Sequence, residues 1–297
     1  MSFSKSVKEE LSKITNLSNK EAVKLELIGY LITSNVTKRN NEIKYSTQSE
    51  YNINRFAKLL NNINIKKYNI NIQGKVYYIT IKEKLNFMEN MFEKSELKLN
   101  DKIYQICNTE VLDKSLVRGS FLGSGSLNNP EKKYHLEITY SYEENLMYIK
   151  HILERYNIQI KKLNNSLYLK DGEEISKFLA FIGANSSVLK FEEIRVIRDM
   201  RNNVNRIVNC ETANLNKTIN TALKQIEDIK FIKKMNKFTE LSDGLQEMAN
   251  IRLENPDVSL IELGKMLKNP IGKSGVNYRL KNISEFANDL RKSKVNK

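Results

Sequence analysis

The first two-thirds of the chain repeats itself, and a duplicated supersecondary unit leaves few folds open. Leu27-Ile-Gly-Tyr-Leu-Ile-Thr-Ser-Asn35 can be laid on Val117-Arg-Gly-Ser-Phe-Leu-Gly-Ser-Gly125 at an offset of 90. Behind each segment comes a strand pattern, Ile43-Lys-Tyr-Ser in the first copy and Leu136-Glu-Ile-Thr in the second. An amphipathic helix follows, in which Phe56, Leu59, Leu60 and Ile63 match Ile149, Ile152, Leu153 and Tyr156 at an offset of 93. Both copies then read as a β-hairpin. The first turns at Gln73-Gly74, and the second at Asn164-Asn165 between Ile158-Gln-Ile and Leu167-Tyr-Leu. A closing helix is predicted near Glu83–Phe92 and near Glu173–Ile182. Two collinear copies, spanning about 20–95 and 113–185, predict a pseudo-symmetric α+β domain whose first helices meet at the centre.

The last forty residues follow a different pattern. Ser259-Leu-Ile-Glu-Leu-Gly-Lys-Met-Leu267 reads as a short helix, Lys268-Asn-Pro-Ile-Gly272 as a turn, and Lys273-Ser-Gly-Val-Asn-Tyr-Arg-Leu-Lys-Asn-Ile283 as a second helix. Leu260, Leu263 and Leu267 recur at helical spacing, as do Val276, Leu280 and Ile283. Helices this short are unstable alone, so their apolar stripes must pack on each other. Ser259 is placed to cap the first and Ser274 the second, and Asn269-Pro270 stops the first helix. With Val276, Leu280 and Ile283 inward, Ser274, Tyr278 and Lys281 point outward, and Asn277 and Arg279 lie on the flanks. From Lys268 to Lys281 there are basic residues (Lys268, Lys273, Arg279 and Lys281) and no acidic ones. The pattern fits a helix-turn-helix that reads a DNA major groove. It also fits a helical hairpin used for packing or protein contact.

Charge supports a polyanionic partner without proving one. The net charge of +14 divides as +6 over residues 1–110, +1 over 111–189 and +7 over 190–297 (18 basic against 12 acidic, 10 against 9, 21 against 14). A lysine- and asparagine-rich composition also follows from an AT-rich genome. Two cysteines, Cys107 and Cys210, exclude a disulfide framework or a zinc cluster by count. Met1-Ser-Phe-Ser-Lys opens no signal peptide, and no apolar run approaches the ~18 residues of a membrane span. The expectation is a cytoplasmic protein with no membrane partner, no metal and no cofactor.

The two repeat segments resemble degenerate LAGLIDADG motifs of homing endonucleases, in which small residues let two helices pack tightly and an acidic residue holds a divalent metal. Here the acidic position falls on Ser34 and Ser124, and the other aspartate position on Ile32 and Leu122. The scaffold is expected without its metal ligands. Nearly end to end, the chain is similar to the bacterial WhiA family, a LAGLIDADG-like domain joined to a carboxyl-terminal helix-turn-helix. The resemblance is carried by Ser2-Phe-Ser-Lys-Ser-Val-Lys-Glu-Glu-Leu11, by Leu116-Val-Arg-Gly-Ser-Phe-Leu-Gly-Ser-Gly-Ser-Leu-Asn-Asn-Pro130 and its continuation to Ile138, and above all by Phe191-Glu-Glu-Ile-Arg-Val-Ile-Arg-Asp-Met-Arg-Asn-Asn-Val-Asn-Arg-Ile-Val-Asn-Cys-Glu-Thr-Ala-Asn-Leu-Asn-Lys217. The chain departs from the family pattern at Asn35, usually Gly, and at Tyr278, often His. The resemblance implies a sequence-specific, nucleoid-associated regulator that binds double-stranded DNA and has no nuclease activity. Relatives act on sporulation genes in filamentous spore formers, and in cell division and chromosome segregation in low-GC Gram-positive bacteria. Other transcription or division proteins would be further partners of a monomer or weak oligomer.

The expected organisation is 1–189 for the duplicated domain, 190–237 for a basic helical connector and 238–297 for the helix-turn-helix domain. In the connector, residues 192–208 read as a helix with Ile194, Ile197, Val204 and Ile207 available for packing. A polar break at 209–217, a second helix through Leu223, Ile226, Ile229 and Ile232, and an exposed hinge at Lys233–Lys237 follow. Arg195, Arg198, Arg201 and Arg206 are candidates for auxiliary phosphate contact, against internal pairing with Glu192, Glu193 and Asp199. The DNA-contacting set is Ser259, Lys268, Lys273, Ser274, Asn277, Tyr278, Arg279 and Lys281. No catalytic residue is predicted. His135 and His151 lack ligand-spaced neighbours, and Gly119, Gly123 and Gly125 lack a Walker ending and suit helix packing better. The competing reading is a nucleic-acid enzyme or maturase-like RNA binder that keeps the scaffold's old activity.

Overall fold

The computed structural model describes residues 2–39, 42–83, 85, 92–93 and 96–295, and the chain divides into two compact units, residues 1–200 and 201–297. In the first unit α1 (Phe3–Ser12) precedes the duplication. The first copy is α2 (Lys20–Leu31), β1 (Val36–Arg39), β2 (Glu42–Thr47), α3 (Glu50–Asn62), β3 (Tyr68–Gln73) and β4 (Val76–Ile81). After the short α4 (Ile103–Ile106), the second copy is α5 (Glu110–Ser124), β5 (Ser126–Leu127), β6 (Leu136–Thr139), α6 (Glu143–Arg155), β7 (Lys161–Leu163), β8 (Ser166–Leu169) and α7 (Gly172–Ile182). The antiparallel sheets have matching orders, β1-β2-β4-β3 and β5-β6-β8-β7.

α2 and α5 pack along the centre, and glycine sets how closely. A Cβ on Gly29 would lie 2.2 Å from the Leu116 carbonyl oxygen, and one on Gly119 2.0 Å from that of Glu26. The two contacts are images of each other at the offset of 90, which makes the pseudo-dyad a matter of backbone geometry. Elsewhere the copies also correspond. Phe56, Leu59 and Leu60 are buried beneath the first sheet, and Ile149, Ile152 and Leu153 beneath the second. α3 and α6 are each followed within two residues by a left-handed asparagine, Asn64 (φ 64°) and Asn157 (φ 56°).

Three details differ from expectation, and a fourth lies outside the described residues. β1 and β5 were illegible, because β1 buries Val36 alone and β5 has two residues, too few to show alternation. The first hairpin turns at Gly74-Lys75, one residue later than read, with Gly74 at φ 60°. Ile158 and Ile160 are buried but not in a strand. The Ile160 N–H donates to the Ile158 carbonyl at 3.0 Å, which curls the backbone, and β7 begins at Lys161. The closing helix expected near Glu83–Phe92 falls largely on residues 84 and 86–91, outside the described residues.

The connector is a single helix, α8 (Asn185–Lys234). Its opening turns belong to the first unit, where Phe191 joins the core. The polar stretch Asn209–Lys217 does not break it, since it holds neither Gly nor Pro and local polarity alone costs little helix stability. Ile194 is half-buried, but Ile197, Val204 and Ile207, expected to pack, are exposed, because residues 199–221 are solvent-facing throughout. Lys233, Lys234, Asn236 and Lys237 of the expected hinge are exposed, but the stretch lies inside the second unit. Ile229 and Ile232 enter its core, Lys233 Nζ donates to Asn250 Oδ1 at 2.9 Å, and Phe238 lies against the same cluster. The division falls at 200/201, more than thirty residues earlier than that hinge.

The second unit continues from α8 through α9 (Asp243–Glu254), α10 (Leu260–Lys265) and α11 (Lys273–Val295). Met248, Ala249, Leu263, Leu267, Val276, Leu280, Ile283 and Ala287 form its core with Ile229 and Ile232. α11 runs twelve residues beyond the expected Ile283, held by Ala287 in the core and by Arg291, which pairs with buried Asp228 at 2.7 Å.

Candidate nucleic-acid interface

α10 and α11 are joined by a tight turn whose geometry depends on one glycine. A Cβ on Gly264 would lie 2.2 Å from the Ile271 carbonyl oxygen, while the Ile271 N–H donates to the Gly264 carbonyl at 3.1 Å. Ser259 caps α10 in a reciprocal box with Glu262. Its Oγ accepts from the Glu262 N–H at 3.3 Å, and its own N–H donates back to Glu262 Oε2 at 3.2 Å. The Ser259 hydroxyl also donates to Glu262 Oε2, at 2.8 Å, so this side chain is committed to the cap. Ser274 does not cap α11. The Val276 N–H already bonds the Gly272 carbonyl at 3.1 Å, so the helix starts one residue before Ser274, which is exposed on its first turn. α10 ends at Lys265 rather than Leu267, where Met266 N–H turns back to Leu263.

Burial of Val276, Leu280 and Ile283 sets the rotation of α11. Lys273, Ser274, Asn277, Tyr278 and Lys281 are left exposed on it, and Lys268 is exposed in the turn. Tyr278 is 66% exposed, an unusual position for a large aromatic ring with no internal partner to explain it. Lys281 approaches Glu285 at 3.5 Å, one turn further on and exposed, a pairing too solvated to hold it. Arg279 is drawn inward. It is half-buried, and its Nη1 donates to the Gly244 carbonyl at 3.3 Å near the start of α9. The expected phosphate contact would require it to leave this site.

The four connector arginines split. Arg195 pairs with Glu192 at 3.1 Å, and Arg198 donates to the Pro130 carbonyl at 3.1 Å while its guanidinium lies 4.4 Å from the Tyr134 ring centroid. These two serve the first unit's own packing. Arg201 and Arg206 are exposed and have no ion pair among the described residues.

At the other end of the chain, Ser124 closes α5 and Ser34 lies just past α2, and both converge on Thr139 at the end of β6. Ser124 Oγ donates to the Thr139 carbonyl at 2.7 Å and accepts its N–H at 3.1 Å. Ser34 N–H donates to the same carbonyl at 3.1 Å, and the Ser34 and Thr139 hydroxyls bond each other. No group of three His, Cys, Asp or Glu side chains converges among the described residues. His135 lies 3.3 Å from Glu137. Gly123 gives room to Thr33, and Gly125 to Phe121, as packing glycines. A feature missed in the sequence is buried Glu26, which receives Arg55 and Arg118. Burial opposes its ionisation, but the two guanidinium groups hold its carboxyl below the usual range. Its place on the inward face of a repeat helix was the available signal.

A duplicated LAGLIDADG fold with serines at its helix ends, followed by a helix-turn-helix unit, defines a two-part class of protein. Family models match both parts: the "WhiA LAGLIDADG-like domain" over residues 113–201 and the "WhiA C-terminal HTH domain" over 204–287. The "probable cell division protein WhiA" of Clostridium tetani is 41% identical over 98% of this chain and 99% of its own length. That of Clostridium beijerinckii is 36% identical over 99% and 100%. The full-length DUF199/WhiA crystal structure from Thermatoga maritima is 29% identical, with a TM-score of 0.58, over 97% of this chain and 99% of that one. The chain belongs to the WhiA family.

Proposed function

We propose that this chain is a sequence-specific regulator that binds double-stranded DNA through α11, acts in cell division and chromosome segregation, and does not cleave nucleic acid. The observation that carries the reading is the exposed face of Lys273, Ser274, Asn277, Tyr278 and Lys281, with no acidic residue from Lys268 to Lys281 and a rotation fixed by Val276, Leu280 and Ile283. The division role rests on the name its clostridial relatives carry. A nucleoid-associated monomer or weak oligomer is part of the same proposal, and no described helix is long and apolar enough to cross a membrane. The retained-nuclease reading needs carboxylates where Ser34 and Ser124 stand. Neutral hydroxyls already bonded to Thr139 are poor ligands for Mg2+.

The test is fluorescence anisotropy of the full chain on operator and random duplexes across a salt series. Asn277→Ala should cut discrimination by about 1–3 kcal/mol if the amide reads a base edge. Lys273→Ala should weaken both duplexes and lower the salt slope by about one. A folded Lys273→Ala/Asn277→Ala/Tyr278→Ala variant with unchanged operator affinity would remove α11 as the reader. Supercoiled plasmid incubated with the protein and Mg2+ or Mn2+ should stay intact. Nicking that tracks with the protein would restore the enzyme reading.

A further inference from the structure

The pseudo-dyad of the first unit breaks at its serine end, and the break opens a cleft. Thr139, at the end of β6, engages both Ser34 and Ser124. At the matching end of β2, Ser46 bonds the backbone of Asn35 instead, its N–H reaching the Asn35 carbonyl at 3.1 Å. On that side α1, which precedes the duplication, lies over a cleft of about 750 Å3. Its walls include Ser4, Lys5 and Lys8 of α1, Ser46 and Thr47 of β2, and Ser124 of α5, and none of its lining residues is Asp or Glu.

The donors there are available. Ser2 Oγ accepts from the Lys5 N–H at 3.3 Å, and Ser4 Oγ accepts from the Leu127 N–H at 3.3 Å, which leaves both hydroxyl protons to donate. Lys5 is exposed. Lys8 is half-buried and has no ion pair among the described residues. Its Nζ lies 5.8 Å from the Phe121 ring centroid, and burial pushes its pKa down to about 8. Two ammonium groups set among hydroxyls, with no carboxylate in the cleft lining and with Glu9 acting on Lys5 from the next turn of α1, form the donor set of a tetrahedral oxyanion.

We propose that this cleft binds a phosphate group, with Lys8 and Lys5 as its cationic contacts and the Ser2 and Ser4 hydroxyls as hydrogen-bond donors. The phosphate comes either from a small phosphorylated molecule or from a nucleic-acid backbone. The site is independent of the reading of α11. The Phe121 ring of α5 lies against Lys8, the same cleft is lined by Lys5, Tyr78 of β4 and Ser46 and Thr47 of β2, and the nearest carboxylate shown to act on these lysines is Glu9, through Lys5. A bound anion therefore meets no carboxylate in the cleft lining, and it favours the protonated form of Lys8. Affinity is highest below about pH 8 and falls as pH rises through that value.

The experiment follows thermal unfolding of the full chain against pyrophosphate, with sodium chloride matched for ionic strength. Inorganic sulfate, whose charge stays constant across the range, is the probe for the pH series. Pyrophosphate should raise the melting temperature of the wild type. Lys8→Gln and Lys5→Gln should each weaken the apparent affinity about tenfold, the loss of one charge-assisted hydrogen bond. Because Lys5 is exposed, its variant tests the site without disturbing the fold. Anisotropy on random duplex then separates the sources. A Lys8→Gln variant that loses pyrophosphate but binds duplex unchanged assigns the site to a small phosphorylated ligand. One whose duplex salt slope drops by about one assigns it to the nucleic-acid backbone. The proposal falls if pyrophosphate gives no shift and duplex binding is unchanged, or if both lysine variants keep the full pyrophosphate shift.

Discussion

Replacing Glu26 by Gln should destabilise the first unit more than any surface change, because Glu26 is the shared anion of two guanidinium groups. Arg55 reaches it with Nε at 2.7 Å and Nη2 at 2.9 Å, and Arg118 with Nε at 3.0 Å and Nη2 at 2.8 Å. Glu26 and Arg55 are fully enclosed and Arg118 nearly so. An amide oxygen can accept from one arginine, but the amide nitrogen turns a donor toward the other. The variant leaves two buried cations with no anion. Breaking a buried pair this way costs about 3–5 kcal/mol, or roughly 6–20 °C in melting temperature for a unit of this size. The sign with pH follows from the depressed carboxyl of Glu26. Ionised Glu26 contributes its stability above the unfolded-state carboxylate value, and the contribution is lost as pH falls through the lower folded value. The gap between wild type and E26Q should therefore be full at neutral pH and narrow in acid. Urea denaturation of both proteins across pH measures it. A neutral-pH gap below about 1 kcal/mol would show that the Ile14 carbonyl, which also accepts from Arg55, suffices for that arginine.

Gly119→Ala should cost about 1–3 kcal/mol or more by overpacking, since its Cβ would sit 2.0 Å from the Glu26 carbonyl oxygen; calorimetry of the first unit's transition reads the loss. Val276→Asp places a charge at a fully buried position in the second unit, so the full chain should lose that unit's unfolding transition and keep the other. Cys210 is exposed, whereas Cys107 is buried with its thiol pushed up to about 11 by burial. A thiol reagent at neutral pH should label Cys210 quickly and Cys107 only after unfolding. Equal rates in the native protein would contradict the burial of Cys107.

The sequence exposed what is repeated and periodic. The offset of 90 located Gly29 and Gly119, which the structure presses against each other's helix backbones, and the spacing of Val276, Leu280 and Ile283 set the buried face of α11. Features without a local pattern stayed hidden. β5 is too short to alternate, and β1 is an edge strand that buries one side chain. The length of α8 is not legible from polarity, because the polar stretch Asn209–Lys217 resembles a break while helix ends need a capping or φ/ψ signal that it lacks. Arg279 looked like a phosphate ligand from its position on the helix. Its bond to Gly244, thirty-five residues away, is a tertiary contact that no spacing encodes.

The serines at the dyad also bear on how the ends of the helix pair are closed. α2 and α5 end close together, and each helix end presents the negative pole of its dipole. Carboxylates at positions 34 and 124 would add charge of the same sign to that spot, and only a bound cation would offset the repulsion. Serine removes the charge; Ser124 donates its hydroxyl to the Thr139 carbonyl, and the Ser34 and Thr139 hydroxyls share a hydrogen bond. The helix pair is then closed by neutral hydrogen bonds, and Glu26, Arg55, Arg118 and the glycine contacts hold it along its length. A domain fixed in this way can keep its shape while the base-reading role moves to a separate helix. The exposed face of Lys273, Ser274, Asn277 and Tyr278 on α11 supports that assignment.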